Sequence, residues 1–532
     1  MFQKFSNPII PGFNPDPSIC RVGDTYYLVT SSFEYFPGVA IYRSRNLAEW
    51  ELINHCLTRK SQLNLTNSRT SGGIYAPTLR YHEGIFYMIT TNVDDRGNFL
   101  VYTDDITGEW SEPVWLSRGG IDPSLLFADG KVYFVSNQDS RGNQGIYLNE
   151  INPQTGENLS EEVLISKGCI GRFPEGPHLY KIDGTYYLLL AEGGTEYGHM
   201  VTIQRSSRPY GPYESCSANP VLSHRYKEDM SIMCTGHGDL VEDTNGRWWM
   251  TVLGVRTLSG EGYMSMLHNL GRETFLAPVT WENGWPVVGK NGTIDLVMEA
   301  DLPAREKAAV FTGSYLIDTD FRPGSFSKQY LFLRNPEKDH YRFDESEQCL
   351  ILSGGKAGLS DRTGSPTFLA VRQTEFAVDS KVTIRFPDQE TRKLPDCTAA
   401  EARENVQNEE LRCGITAFYN NEHHYDLCFV RKEGVSFVEL RKQIYDLNAA
   451  VSRIAVPDGA ITLEIRSDQE YYYFYASAGT EKPELIGKGA AAALCTEVTR
   501  RMSFTGTLIG IFCEQGTARI QDFVVRAKRP YK

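Results

Sequence analysis

No stretch of this 532-residue chain stays apolar for the roughly 18–20 residues that a bilayer-spanning helix requires, so no membrane span is expected. Long runs of Lys or Arg are missing too. With 54 basic against 67 acidic residues the net charge is −13. That balance opposes nucleic acids and acidic membrane surfaces, which call for a basic patch. The first eight residues, Met1 to Pro8, lack the apolar core of a secretory signal. The 11 cysteines are odd in number and contain no C-x-x-C pair. Both features favour free thiols in a reducing compartment, and a cytoplasmic location is expected.

What is abundant is glycine and aromatic residues: 47 Gly, 29 Tyr, 26 Phe and 7 Trp. That mixture fits an all-β protein with many turns, and flat aromatic faces also suit the C–H faces of sugars. The length exceeds one ordinary domain, so two or three are expected. One stretch stands out, Arg172-Phe173-Pro174-Glu175-Gly176-Pro177-His178, where a carboxylate sits between two prolines. Proline cannot donate its N–H and drives its predecessor towards extended geometry, so Glu175 should ride on a stiff, non-helical lead-in to a strand. A hairpin follows, with Asp183-Gly184 turning between Leu179–Ile182 and Thr185–Leu190.

The same layout occurs five times: a turn, a short strand, a Gly- or Asp-marked turn, and an aromatic-rich strand. The anchor residues of the short strands are Ile19, Leu79, Leu125, Leu179 and Leu240, spaced 46 to 61 residues apart. This is the spacing of four-stranded propeller blades with their loops. Residues 1–300 are therefore predicted to form a five-bladed β-propeller, in preference to a run of unrelated hairpins. Three residues before each anchor stand Asp16, Ala76, Asp122, Gly176 and His237, with Glu175 one further back in the fourth repeat. In a propeller these positions converge at one level near the axis. Two Asp, one Glu and one His would then meet there, and burying like charges together raises at least one pKa.

The repeat fades after Trp281–Pro286. Residues 287–311 read as a connector, with 301–311 the linker proper and a short helix an option at Ala304–Ala309. Residues 312–532 hold further alternating strand candidates, including Ser380–Ile384, Gly414–Phe418, Tyr425–Val430 and Tyr471–Tyr475, which predict a β-sandwich of jelly-roll or concanavalin A-like type. Within it Ala399–Leu411 could form a surface helix or a loop.

Two opposed carboxyl groups in a sugar-sized pocket are what glycoside hydrolysis requires. Asp16 and Glu175 suit that pair, and Asp122 could raise the pKa of Glu175 by repulsion. The chemistry alone leaves open which of the three is base, acid or modulator. The segments Asn14-Pro15-Asp16-Pro17-Ser18, Ile121-Asp122-Pro123-Ser124 and Pro174-Glu175-Gly176-Pro177-His178 resemble the three catalytic segments of glycoside hydrolase family 43. Thr235-Gly236-His237-Gly238-Asp239 resembles that family's fifth-blade motif, and Leu270-Gly271-Arg272-Glu273-Thr274-Phe275 is similar to a segment of its β-xylosidases, which also carry a C-terminal β-sandwich.

The resemblance implies an inverting glycosidase with Asp16 as general base, Glu175 as general acid and Asp122 as pKa modulator; short imported substrates and a pocket capped by the second domain would make it exo-acting. It implies release of β-D-xylose, and also α-L-arabinofuranose, from the non-reducing end of short xylo-oligosaccharides. No cofactor is required; His237 would hold a calcium ion or a water at the propeller centre. Arg272 would contact sugar hydroxyls, Phe33 and Tyr75 would wall the pocket, and Phe504 would lie on a sandwich loop that helps close it. Tyr75 departs from the Trp of many β-xylosidases and is similar to a branch with α-L-arabinofuranosidases, so a mainly arabinofuranoside-cleaving enzyme is the alternative. Two rival readings are a retaining propeller glycosidase of the sucrose-cleaving kind and a non-catalytic sugar-binding propeller. The partner expected is an oligosaccharide, with neither nucleic acid nor membrane, and a homo-oligomer is left open.

Overall fold

Five four-stranded antiparallel sheets follow one another along the chain, one for each repeat found in the sequence. The computed structural model describes residues 2–140, 143–227, 230–258, 266–303, 314–317, 326–385 and 410–528. The first strands of the five blades are Ser18–Val22, Thr78–His82, Ile121–Ala128, Glu175–Ile182 and Ile232–Glu242. Glu83-Gly84, Asp129-Gly130 and Asp183-Gly184 turn three of the inner hairpins with both residues at positive φ, the geometry that matches strand twist.

Period-2 alternation explains why the second strands read as nearly continuous apolar runs. In the third blade Phe134 packs towards Ile89 and Leu100 of the second, while Tyr133 and Val135 pack towards Leu179 and Leu188 of the fourth. Both faces of a blade are buried, so neither face can be polar. Each such side chain contributes about 1.5–3 kcal/mol on burial.

Strand Gln3–Ser6 pairs with Val297–Ala300 and closes the ring. This second strand lies inside the stretch expected to be a plain connector. The Asn7 side chain strengthens the closure, donating to the Leu276 carbonyl at 3.0 Å and accepting from its N–H at 2.9 Å.

The axis is laced by the residue just before each anchor: Ser18, Thr78, Ser124, His178 and Asp239. The Ser18 hydroxyl donates to Asp239 (2.7 Å) and accepts from the Leu79 N–H (3.0 Å). Thr78 donates to the Pro123 carbonyl at 2.8 Å and Ser124 to the Pro177 carbonyl at 2.6 Å. The Tyr180 hydroxyl donates to Asp239 at 2.5 Å and accepts from the Leu240 N–H. Every neighbouring pair of blades is thus stitched near the axis. Asp239, fully buried, also takes two hydrogen bonds from Arg80, at 2.9 and 3.2 Å. Burial opposes its charge, but Arg80, the His178 ring and these donors outweigh that and hold its pKa far below the usual value.

Two compact units divide the chain: Met1–Thr257 with Gly271–Val310, and Leu258–Leu270 with Phe311–Lys532. The second is a β-sandwich. One sheet has eight strands, including Ala377–Arg385, Ala460–Ser467, Tyr471–Ala478 and Thr517–Lys528; the other has six, including Leu411–Asn420, His423–Lys432 and Leu508–Gln515. Tyr425 of the six-stranded sheet packs on Tyr472 and Phe474 of the other, with ring centroids 6.2 and 5.9 Å apart. The helix options at Ala304–Ala309 and at 399–409 lie outside the described residues. Leu411, expected at the end of the second helix, instead opens a strand. Among the described residues no helix is long and apolar enough to cross a membrane.

Replacing Asp239 by Ala leaves the mostly buried Arg80 guanidinium without its carboxylate, a loss of up to about 3–5 kcal/mol. The melting temperature should fall clearly, with Asp239→Asn falling less. An Asp239→Ala protein that melts like the parent would show that the axial stitching carries no stability.

Candidate active site

Four of the five positions three residues before the anchors share one backbone conformation. Asp16, Asp122, Gly176 and His237 have φ of 53°, 53°, 52° and 49°. Left-handed φ is uncommon outside glycine. In blades three, four and five the strand pairing is interrupted at this level, between Ile121 and Ser124, Glu175 and His178, and Gly236 and Asp239. A bulge of this kind re-aims a side chain out of the ladder. Here it is repeated at one level around the ring, and it brings Asp16, Asp122, Glu175 and His237 together. Ala76 lacks the kink. Gly176 cannot be anything larger: a β-carbon there would come within 2.9 Å of the His237 ring.

The segment Gly271–Phe275 clamps the chain that carries Asp16. The Thr274 hydroxyl donates to the Asn14 carbonyl at 2.7 Å, and the Asn14 N–H donates to the Arg272 carbonyl at 3.0 Å. Glu273 accepts from the Gly12 N–H and from two nitrogens of Arg256. Arg272 then donates to Asp16 Oδ1 at 2.9 Å and to Oδ2 at 3.4 Å. The Ser31 hydroxyl adds a bond of 2.5 Å, and His237 Nδ1 lies 3.5 Å from Oδ1. Burial resists ionisation of Asp16, yet Arg272, His237, Ser31 and His199 together hold its carboxyl below the ordinary value.

The other two carboxyls go the opposite way. Burial, and then the charge of Asp16, push Glu175 up to about 7. Asp122 also rises to about 7, through burial and the charges of Glu175 and Asp16, although His237 and the Gly176 N–H oppose the shift. Asp122 and Glu175 repel each other as the sequence led us to expect, and the charge of Asp16 adds to the effect on both. Asp122 accepts from the Gly176 N–H at 3.1 Å, which fixes the peptide next to Glu175. The Asn137 side chain donates to the Pro174 carbonyl and fixes the other side.

Phe33, only 2% exposed, lies beneath Arg272, whose guanidinium carbon is 5.4 Å from its ring centroid. Tyr75 is half-buried against Phe33, with centroids 5.3 Å apart, and donates its hydroxyl to the Ser71 carbonyl. Asp122 and Arg272 are among the charges that act on that hydroxyl, though burial is the main cause of its raised pKa. Phe504 belongs to the second unit and is half-buried.

Calcium favours six to eight oxygen ligands. The site offers the His237 imidazole beside a carboxylate already paired with Arg272. Among the described residues no group of three or more His, Cys, Asp or Glu is placed to hold a metal ion. The residues present do not match calcium's needs.

Several residues of the site escaped the sequence reading. Arg80 Nη2 lies 2.9 Å from His178 Nδ1; because guanidinium only donates, that nitrogen accepts and His178 carries its proton on Nε2. Burial holds His178 neutral, with a pKa lowered to about 3. Alignment of the repeats one residue before the anchors would have exposed His178 and Asp239. His199, whose Nδ1 donates to the Cys234 carbonyl at 3.0 Å, lies outside the repeat and leaves no such signal.

The family model described as glycosyl hydrolases family 43 matches residues 5–286, and that of the beta xylosidase C-terminal concanavalin A-like domain matches 318–394 and 397–522. A non-reducing end alpha-L-arabinofuranosidase of Bacteroides ovatus is 38% identical over 518 residues, covering 96% of this chain and 91% of that protein. A xylosidase/arabinosidase of Butyrivibrio fibrisolvens is 35% identical over 90% of each chain. Among solved structures, the GH43B of a Bacteroides ovatus xyloglucan locus superposes with a TM-score of 0.88 at 36% identity, covering 99% of this chain and 100% of the other.

The raised pKa of Glu175 has a consequence for stability. Its contribution is fully present below the ordinary value of 4.5 and is lost as pH rises to about 7, because the unfolded chain then binds fewer protons than the folded one. Melting temperatures of the parent and Glu175→Gln should therefore converge near pH 4 and separate at pH 8, with the variant higher. A constant difference across that range would contradict the raised pKa.

Proposed function

This chain belongs to glycosyl hydrolase family 43, and from that premise we propose that it is an inverting, exo-acting glycosidase releasing single pentoses, β-D-xylose and α-L-arabinofuranose, from the non-reducing ends of short oligosaccharides. Family membership sets aside both the sucrose-cleaving and the non-catalytic sugar-binding alternatives. The observation that carries the mechanism is the divergence of two carboxyls in one site: the bonds from Arg272 hold Asp16 below its ordinary value, while burial and the charge of Asp16 push Glu175 up to about 7.

In this mechanism a water stands between Asp16 and the anomeric carbon. Its oxygen bonds to that carbon while Asp16 accepts its proton. The bond from the anomeric carbon to the leaving oxygen breaks, its electron pair stays on that oxygen, and Glu175 supplies the proton. Arg272 keeps Asp16 charged and oriented before the step. Asp122 fixes the Gly176 peptide and, with its own raised pKa, limits the negative charge near Glu175. The ten described cysteines all carry free thiols, which supports a reducing compartment where the substrates are short.

Tyr75 and the similarity to the Bacteroides ovatus arabinofuranosidase support a second, narrower reading, a mainly α-L-arabinofuranoside-cleaving enzyme. Nitrophenyl β-D-xyloside and α-L-arabinofuranoside separate the two: turnover of both at comparable rates supports the broader reading, and strong preference for the arabinofuranoside the narrower. Asp16→Ala should lower kcat about 10²–10⁴-fold on either substrate. The first-formed sugar, followed by NMR, should be the inverted anomer. Retention, or an Asp16→Ala protein as fast as the parent, would remove Asp16 from the role of base. The alkaline limb of kcat/KM should lie near 7, where Glu175 loses its proton.

A further inference from the structure

The chemistry above uses Glu175 but leaves Arg172 and Phe173, three and two residues earlier, without a task. Phe173 is 42% exposed and holds φ at +53°, a conformation bulky residues rarely adopt and one that concentrates at functional sites. Its setting is firmly built. Glu192 is fully buried and spends its carboxylate on the backbone N–H groups of Cys169 (2.6 Å), Ile170 (3.0 Å) and Gly171, with the Thr202 hydroxyl at 2.9 Å. Charge-assisted bonds of this kind fix the shape of the loop leading to Phe173.

Phe173 also connects to the base. Arg172 is ion-paired with Glu196, and its guanidinium carbon lies 5.1 Å from the Phe173 ring centroid. The ring edge is 3.5 Å from where a β-carbon on Gly194 would stand. The next residue, Thr195, accepts at 3.0 Å from Arg272 Nη1, the same nitrogen that donates to Asp16. An exposed aromatic ring is therefore held between the residue that carries the acid and the loop that touches the arginine of the base.

We infer that Phe173 is the stacking platform for the leaving-group sugar, the ring whose oxygen Glu175 protonates. This rests on Glu175 being the proton donor. A donor must lie within hydrogen-bond reach of the leaving oxygen, so the departing ring sits on the Glu175 side of the pocket. Two residues of chain span at most about 7 Å, which places Phe173 beside that ring. An aromatic face offers the C–H bonds of a pyranose a flat apolar partner, and Arg172 braces the aromatic ring against the loop.

The test compares leaving groups that have a ring with one that has none. The glycosyl part is whichever pentose the parent protein cleaves, so that choice reads the substrate assignment and the comparison reads Phe173. Phe173→Ala should lower kcat/KM on the disaccharide about tenfold, mainly through KM, the scale expected for one aromatic contact. Hydrolysis of the corresponding glycosyl fluoride should be unchanged, and Phe173→Trp should keep activity on both. Equal loss on disaccharide and fluoride would show that Phe173 only props Glu175 and would overturn the proposal. So would an undiminished rate on the disaccharide.

Discussion

The Arg272 guanidinium donates to both oxygens of Asp16 inside a site whose burial disfavours every carboxylate charge. Burial alone would push Asp16, Asp122 and Glu175 in the same direction, towards neutral acids. The ion pair breaks that symmetry. With Asp16 held charged, its field adds to the desolvation of Glu175 and Asp122 and raises both. Arg272, with His237, Ser31 and His199, thus holds Asp16 below its ordinary value while Glu175 rises to about 7, the divergence that acid–base hydrolysis uses. The remainder of the Gly271–Phe275 segment serves the same end, since Thr274 and Glu273 clamp the chain at Gly12–Asn14 and so place Asp16 against Arg272.

The propeller supports this arrangement through two rungs of one repeat. The rung one residue before each anchor stitches blade to blade and centres on Asp239 with its Arg80 partner. The rung three before the anchors takes a left-handed kink in four of the five blades and brings Asp16, Asp122 and His237, with Glu175 beside Gly176, to the candidate site. Regular hydrogen bonding just below an irregular level lets strained backbone persist without loosening the ring. Gly176 shows how tight the upper rung is, because the His237 ring occupies the space a side chain would need.

Much of this was legible in the sequence because a repeat converts spacing into position. The anchors Ile19, Leu79, Leu125, Leu179 and Leu240 predict five blades, and the structure has five. The same alignment predicts the meeting of Asp16, Asp122, Glu175 and His237. What was not legible depends on contacts between distant segments. From the sequence Arg272 reads as a sugar ligand, and its ion pair with Asp16 emerges only when Asn14 and Thr274 are seen in register. The closing strand Val297–Ala300 is too short and too mixed in polarity to stand out before its pairing with Gln3–Ser6 is known. Arg80 and His199 gain meaning only from the buried groups facing them.

The division of labour between Asp16 and Glu175 is tested most directly by leaving-group dependence. Rates of Glu175→Gln and Asp16→Asn should be measured on a series of aryl glycosides whose phenols range from strongly acidic to weakly acidic. An acid that protonates the departing oxygen matters least when the phenol leaves readily. Glu175→Gln should therefore approach the parent rate on the most acidic phenol and fall far behind on the least acidic, while Asp16→Asn should be impaired by a similar factor throughout. A flat loss for Glu175→Gln, or a leaving-group-dependent loss for Asp16→Asn, would contradict the assignment.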